Sequence, residues 1–273
     1  MILFPPAKVN LGLRILAKRP DGYHEIESVM AEIPFCDILE LNEAEHDSFV
    51  QTGITFPPDG QLNLCEKAVA ILRQHASFPP VHIHLRKQIP VGAGLGGGSA
   101  DASYTLVGLN ELFSLGFSKV QLTDFAAQLG SDCPFFIRNE PQLAKGRGEL
   151  LTPISLNLNG LYCVLFNPKI HVSTKEAYSG VSPRMPDKTV RELLSLPIEV
   201  WPALLQNDFE ESVFKAHPKI AQLKSELEKT SACYVSMSGS GASVFALYKE
   251  KQEVPSSLYS AVIAAFKFQL TKS

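Results

Sequence analysis

The segment PVGAGLGGGSADAS, from Pro90 to Ser103, holds five glycines between residues 92 and 98. Glycine loses more backbone entropy on ordering than any other residue, so this cluster suggests that a ligand lies against bare backbone. A glycine loop that leads into a helix presents unpaired N–H groups at the positive end of the helix dipole, which suits a polyphosphate. The residues that would form this phosphate cradle are Pro90, Val91, Gly92, Ala93, Gly94, Leu95, Gly96, Gly97, Gly98, Ser99 and Ala100.

Three other interpretations of the glycine segment compete with this one. Three of the glycines match G-x-G-x-x-G, but Pro90 interrupts the strand-to-helix turn and the strand before it alternates, which disfavours a dinucleotide fold. A Walker A loop requires a lysine after its last glycine, whereas Gly98 is followed by Ser99. A mobile linker, with Ser99 or Asp101 as a plain helix cap, is the structural alternative.

Other side chains with possible chemistry are scattered along the chain. Lys8 and Asn10 share the polar face of the first strand, where spacing alone favours an ordinary solvated face. Asp132 follows a helix end in GSDCPFF, and local sequence favours a role as the cap of a short turn. Tyr23 and His24 follow a turn and are either surface residues or a stacking plate with a hydrogen-bonding ring.

The elements that must position these residues follow from hydrophobic periodicity. Hydrophobic patterning predicts strands at residues 8–16, 26–33, 35–41 and 81–89, a buried strand at residues 161–168, and a strand, glycine turn and strand at 234–248 around SGSGAS, residues 238–243. Helical spacing predicts helices at residues 62–76, 100–113, 118–129, 187–196, 199–205, 217–229 and 256–267. Ser118 with Gln121 forms a capping box, residues 49–60 are loop-rich, and residues 135–137 are a short strand or a helical turn.

Strands and helices are interleaved, and the strands alternate instead of being continuously apolar. This pattern favours an α+β fold with mixed or antiparallel sheets covered on one face by helices. A chain of 273 residues is long enough for two lobes. We predict an N-terminal domain at residues 1–152 and a C-terminal domain at residues 153–273, with the linker between residues 148 and 160.

Composition excludes several classes of protein. The net charge of −3 gives no basic surface for nucleic acid. No apolar run reaches the roughly 18–20 residues of a membrane helix. The five cysteines form no C-x-x-C pair, and their odd number argues against a disulfide framework, so we expect a reduced, cytoplasmic protein. The sequence does not predict an oligomeric state.

Four segments together resemble the GHMP small-molecule kinases over nearly the whole chain. They are PAKVNLGLRILAKRPDGYHEIESVM, PVGAGLGGGSADAS, LGSDCPFFI and SMSGSGASVFALY, in the order and spacing of that family. The resemblance implies a two-lobed GHMP kinase fold with the active site in the cleft between the lobes. It further implies ATP-dependent phosphorylation of the 2-hydroxyl of a cytidine diphosphate-linked methylerythritol, in the non-mevalonate route to isoprenoid precursors.

The resemblance also assigns roles on the catalytic and ATP side. Asp132 matches the family's catalytic aspartate, which accepts or orients the hydroxyl proton, and Lys8 matches the lysine beside it. A cation near a carboxylate favours the charged form and a developing alkoxide. Asn63 and Lys87 match positions that line the adenosine pocket. No acidic residue matches a magnesium ligand, so the metal ligands stay unknown and Mg²⁺ is expected to arrive with ATP.

On the substrate side, the resemblance implies that Tyr23 stacks on the cytosine ring and that His24 hydrogen-bonds to it. Tyr178 matches the aromatic residue on the other face of the ring, and Asn10 matches a further substrate contact. Two alternatives stay open: a GHMP kinase for another small alcohol, of the homoserine or mevalonate type, and a non-catalytic nucleotide-binding module. The pair Tyr23 and His24 argues against the first, since a small acyclic substrate has no base to hold.

Overall fold

The computed structural model describes residues 1–54, 62–138 and 140–268. Its strands are β1 (Ile2–Leu3), β2 (Pro6–Lys18), β3 (His24–Cys36), β4 (Ile38–Glu43), β5 (Ser48–Gly53), β6 (Val81–Lys87), β7 (Gln142–Lys145), β8 (Leu150–Pro153), β9 (Tyr162–Phe166), β10 (Tyr234–Met237), β11 (Val244–Tyr248) and β12 (Val262–Lys267). Its α-helices are α1 (Leu64–Arg73), α2 (Gly97–Leu112), α3 (Lys119–Leu129), α4 (Thr174–Ser179), α5 (Val190–Leu194), α6 (Trp201–Leu204), α7 (Phe209–Ala216) and α8 (Pro218–Glu228). Short 3₁₀ helices cover Cys133–Ile137, Ile198–Val200 and Ser256–Ala261.

The chain forms two compact units, and neither is one continuous segment. Unit 1 comprises residues 1–8, 32–91 and 96–140, and unit 2 comprises residues 9–31, 92–95 and 141–273. These units divide the chain at other points than residues 152 and 153, because most of β2 and β3 groups with the C-terminal half. The predicted division into domains 1–152 and 153–273 stays a prediction.

Unit 1 is built on a sheet of order β1-β4-β6-β5, in which β4 pairs antiparallel with β1 and β6 while β5 runs parallel to β6. Alternation in β6 places Val81, Ile83 and Leu85 in the core, as the sequence predicts. These side chains pack with buried residues of α1, α2 and α3 in one apolar cluster. The sheet and its helices thereby fix the start of α2, which follows the glycine loop.

Unit 2 contains the antiparallel sheet of order β10-β11-β9-β12. Its core joins buried residues of this sheet to α7 and α8, including Phe166, Phe209 and Leu227. A third sheet, of order β2-β3-β7-β8, carries the remaining strands. The fold is thus α+β with mixed and antiparallel sheets, which confirms the predicted class.

Most predicted elements are confirmed in type, with shifted ends, and two predictions are wrong. Residues 256–267 form a 3₁₀ helix and then β12, because β12 pairs with β9 and completes the sheet, which outweighs the helical spacing. The predicted loop at residues 49–60 contains β5 up to Gly53, and its residues 55–60 lie outside the described part of the chain. The segment 135–137 is helical, within the 3₁₀ helix 133–137.

Within the described part of the chain, no helix is both long and apolar enough to cross a bilayer.

Candidate active site

An ammonium group and a carboxylate meet in unit 1. Lys8 lies on β2 with its side chain only 4% exposed, and Asp132 directly precedes the 3₁₀ helix 133–137 with its side chain 38% exposed. Lys8 Nζ lies 3.6 Å from Asp132 Oδ2. The Asp132 side chain makes no capping hydrogen bond to the 3₁₀ helix, so the simpler interpretation from local sequence is wrong. A half-exposed carboxylate beside a buried cation can receive a hydroxyl group.

The position of Asp132 is set by α2. Ser103 Oγ of α2 donates a hydrogen bond to the carbonyl oxygen of Cys133 at 2.7 Å. Cys133 N also donates to the carbonyl oxygen of Gly130, at the end of α3, at 3.2 Å. The turn that carries Asp132 is therefore held by two helices whose apolar residues lie in the core of unit 1.

The start of α2 lies beside the same lysine. Gly96 occupies the N-cap position with φ +70° and offers no side chain to the first turn, in which Ser99 and Ala100 lie. A Cβ atom on Gly96 would lie 3.1 Å from Lys8 Cγ and 3.0 Å from Phe136 Cζ. The backbone N–H groups of a first helical turn have no partner inside the helix. Unit 1 thus brings together the ammonium, the carboxylate and an N-terminus that can hold an anion.

The two glycines that follow have different surroundings. A Cβ atom on Gly97 would lie 2.8 Å from Ile89 Cγ2, so packing requires glycine there. A Cβ atom on Gly98 would meet only Leu64 Cδ1, at 3.9 Å, and its φ lies outside the left-handed region. Packing therefore gives no reason for glycine at position 98.

The earlier part of the glycine loop, residues 92–95, belongs to unit 2, where it packs on the second glycine segment, SGSGAS at residues 238–243. Pro90 and the exposed Val91 lead into it, and Ala93 and Leu95 are buried. Ser238 Oγ donates to the carbonyl oxygen of Gly94 at 2.9 Å. A Cβ atom on Gly94, whose φ is +77°, would lie 1.9 Å from the carbonyl oxygen of Ser238. Gly92 likewise has a positive φ, +65°. The two glycine segments are therefore in direct contact.

Buried polar residues hold the second glycine segment. Asn207 Nδ2 donates to the carbonyl oxygens of Met237 and Gly239, at 2.8 and 2.9 Å. Glu210 accepts from Met237 N at 2.8 Å and from Lys224 Nζ at 2.6 Å. Burial raises the pKa of Glu210, while both hydrogen bonds favour its charged form.

The aromatic residues predicted to hold a base lie in unit 2. The His24 and Tyr178 rings are stacked, with centroids 4.8 Å apart and planes 18° apart. The Tyr23 side chain is 56% exposed, and the guanidinium carbon of Arg147 lies 4.9 Å from its ring centroid, a cation–π geometry. Asn10 is buried, and its Nδ2 donates to Ser28 Oγ at 2.9 Å.

Asn63 and Lys87, predicted to line an adenosine pocket, have partners within unit 1. Asn63 caps α1, accepting from Cys65 N at 2.9 Å in a capping box with Glu66. Lys87 is 3% exposed, and its ammonium group binds a carboxylate on each side. The adenosine contacts of both residues stay predictions. Among residues 1–54, 62–138 and 140–268, no group of three or more His, Cys, Asp or Glu side chains is arranged to hold a metal ion.

Sequence reasoning missed several residues that shape these sites. Arg147 lies in the turn between β7 and β8, and only the fold brings it to Tyr23. Glu210 belongs to α7, a helix that the periodicity did not predict. Arg147 contacts Tyr23 across 124 positions, and Glu210 is 14 positions from Lys224 and 27 from Met237, so no local pattern identifies these contacts.

Comparison with known proteins identifies the family. The GHMP kinases N terminal domain matches residues 63–140, and the GHMP kinases C terminal domain matches residues 188–267. A 4-diphosphocytidyl-2-C-methyl-D-erythritol kinase of Azobacteroides pseudotrichonymphae is 47% identical over 92% of this chain and 94% of its own. The kinase of the same name from Bacteroides fragilis is 44% identical over 98% of each chain.

A solved structure agrees with these matches. The crystal structure of a 4-(cytidine 5'-diphospho)-2C-methyl-D-erythritol kinase covers 90% of this chain, as this chain covers 90% of it, with a TM-score of 0.77 and 33% identity. Matches over nearly the full length, together with both family domains, settle the class of protein. The chain belongs to the GHMP kinase family and is a small-molecule kinase.

Proposed function

We propose that this kinase transfers the γ-phosphoryl group of ATP to the 2-hydroxyl of 4-diphosphocytidyl-2-C-methyl-D-erythritol, giving the 2-phosphate and ADP. The names of the relatives support the substrate and its place in isoprenoid precursor synthesis. The observation that carries the chemistry is the contact of 3.6 Å between Lys8 and Asp132, whose carboxylate caps no helix.

In the proposed reaction, Asp132 orients the 2-hydroxyl and accepts its proton as the oxygen attacks the γ-phosphorus. The new P–O bond forms as the bond to the β-phosphate oxygen breaks, and ADP leaves. Lys8 stabilises negative charge on the attacking oxygen. Phosphoryl transfer depends mainly on positioning and charge stabilisation, so a cation and a carboxylate in fixed contact supply what the protein must add.

The phosphates of ATP are proposed to bind at the first turn of α2, where Gly96, Gly97, Gly98 and Ser99 offer backbone N–H groups. Gly98 supports this assignment, since neither its φ nor its packing requires glycine. Mg²⁺ is proposed to enter as the ATP complex. The described residues offer no cluster of carboxylates for it, so no protein ligand is assigned and no step is routed through the metal.

The cytosine ring is proposed to bind at the exposed Tyr23 and the half-buried His24 and Tyr178, all in unit 2. Tyr23 would stack on the base, His24 would hydrogen-bond to it, and Tyr178 would contact its other face. The stacking of His24 on Tyr178 supports this role, because it places the two proposed contacts within 4.8 Å of each other, where both can reach one base. Arg147 would keep the Tyr23 ring in place through the cation–π contact, and Asn10 is proposed to contact the methylerythritol moiety.

The test is an ADP-release assay with Mg-ATP and four acceptors: the cytidyl alcohol, mevalonate, homoserine and galactose. Turnover on the cytidyl alcohol alone supports the proposal. Turnover on only one of the other acceptors would be consistent with the proposed phosphoryl transfer but would exclude the proposed cytosine site. Asp132→Asn is expected to lower kcat by about 10²-fold or more while ATP still binds. Asp124→Asn, an exposed aspartate of α3, is the matched control. Full activity of Asp132→Asn excludes its assigned role.

A further inference from the structure

Three buried charged groups lie together in unit 1, beneath the glycine segment. Lys87 Nζ contacts Asp37 Oδ2 and lies 2.7 Å from Asp101 Oδ2. The three side chains are 3%, 0% and 2% exposed, respectively. We call this set the buried trio. Burial of charge is costly unless each group is paired, so the arrangement of these three groups needs an explanation.

The buried trio joins the two ends of the glycine segment. Asp37 Oδ1 accepts hydrogen bonds from Gln88 N at 2.5 Å and Ile89 N at 2.9 Å, just after β6. Asp101 lies one turn into α2, beyond the last glycine. Lys87 connects the two carboxyl groups, so the trio fixes the start of α2 against the end of β6.

Gly97 shows how closely these two ends approach each other. A Cβ atom there would lie 3.2 Å from Lys87 Nζ as well as 2.8 Å from Ile89 Cγ2. The first turn of α2, where we place the ATP phosphates, therefore rests directly on the trio. A change of charge in the trio would be felt by an anion at that turn.

The charges of the trio do not balance if both carboxyl groups are ionised. One ammonium faces two carboxylates, which leaves one negative charge in a buried site. Asp101 Oδ1 is buried and accepts no hydrogen bond among the described residues. Burial, followed by repulsion from Asp37, raises the pKa of Asp101, although Lys87 opposes the shift. From α1 the buried Cys65 faces Asp101, and burial raises the pKa of its thiol, which therefore stays neutral.

We propose that Asp101 is a positioning residue for the ATP phosphates and acts in its protonated form, which keeps the trio neutral beneath the phosphate-binding turn. The inference rests on the proposed binding of ATP at α2. Ionised Asp101 would place an unbalanced negative charge close to a polyanion. By linkage, ATP binding and protonation of Asp101 then favour each other.

The test is an equilibrium titration of ATP with excess Mg²⁺ and no acceptor alcohol, so that Asp132 performs no chemistry. In the wild-type protein the Kd for ATP is expected to rise about tenfold between about pH 6 and about pH 8.5. Asp101→Asn imitates the protonated acid in shape and charge. In this variant the ratio of the Kd for ATP at about pH 8.5 to the Kd at about pH 6 should fall to about twofold or less. Asp124→Asn, on α3 of the same unit, should keep the wild-type ratio.

A purely structural role for Asp101 would alter stability or affinity at every pH and leave the ratio unchanged. An unchanged ratio in folded Asp101→Asn, or a wild-type Kd that does not vary with pH, overturns the inference. If Asp101→Asn does not fold, Asp37→Asn carries the same test. It removes the repulsion from Asp37 and leaves Lys87 to pair with Asp101 alone, so Asp101 is expected to stay ionised in a neutral trio across this pH range, and the pH dependence should again be lost.

The inference and the proposed function fail in different ways. ATP binding with the expected pH dependence, but without phosphorylation of the cytidyl alcohol, leaves the inference intact and excludes the proposed substrate. Absence of ATP binding at every pH overturns both.

Discussion

Gly98 provides a sharp test of the phosphate cradle. Backbone conformation or packing requires glycine at the four other positions of the loop, whereas neither requires it at Gly98. Gly92, Gly94 and Gly96 have positive φ values, and Gly97 has no room for a side chain. At Gly98 the backbone is helical and the space is open. If a ligand alone requires this glycine, Gly98→Ala should separate stability from nucleotide binding.

The expected size of the stability effect follows from the geometry. Alanine is favoured over glycine by about 1 kcal/mol inside a helix and by somewhat less in its first turn. The added Cβ atom makes one ordinary contact, at 3.9 Å from Leu64 Cδ1. We therefore expect Gly98→Ala to raise the free energy of unfolding by about 0.5 kcal/mol. An added methyl group at a surface that phosphate must approach should raise the KM for ATP by about tenfold.

Gly94→Ala is the matched comparison. Its left-handed backbone costs about 1–2 kcal/mol for alanine, and the Cβ atom would lie 1.9 Å from the Ser238 carbonyl oxygen, so the backbone must move. We expect a loss of about 3 kcal/mol or more in the free energy of unfolding. Urea unfolding measures both effects, and steady-state kinetics at varied ATP measures the KM. A destabilised Gly98→Ala, or a stable one with unchanged KM for ATP, would refute the reasoning.

Two further predictions concern the proposed sites, and a third concerns Glu32 on β3. Lys8→Met keeps an apolar stem against Gly96 but removes the cation, so kcat should fall about 10²-fold with little change in the KM for ATP. A kcat within about threefold of wild type would argue against the role assigned to Lys8. Tyr23→Ala should raise the KM for the cytidyl substrate about fivefold and leave the KM for ATP within about twofold. Tyr23→Phe should retain both KM values. An equal rise of the two KM values in Tyr23→Ala would exclude stacking of Tyr23 on the base. Burial raises the pKa of Glu32 from 4.5 to about 7, so between these pH values the folded protein retains a proton that the unfolded chain releases. The contribution of Glu32 to the free energy of unfolding is therefore fully present below about pH 4.5 and is lost as the pH rises through 7. Glu32→Gln should therefore be more stable than wild type at about pH 8 by about 1–3 kcal/mol in urea unfolding, and an equal difference at about pH 4 would contradict this cause.

The strands and helices that carry the site could be predicted from the sequence because their signals are local. Alternation in residues 8–16 predicts a strand, and the structure extends it to 6–18. The capping box of Ser118 and Gln121 is present at the start of α3. The final helix prediction failed because pairing of β12 with β9 is a contact between distant segments, which periodicity does not contain.

The candidate site likewise divides into features that the sequence determined and features that required the tertiary structure. Residue types and motif spacing by themselves determined the α+β class, the glycine segment and the resemblance to GHMP kinases. The resemblance already implied Lys8 beside Asp132, but only the tertiary structure decided that the Asp132 carboxylate does not cap its turn and that Lys87 lies between Asp37 and Asp101. Lys8 and Asp132 are 124 positions apart, and Asp37 and Lys87 are 50 apart. Pairing over such separations depends on burial and on the packing of whole elements, which short-range sequence patterns do not encode.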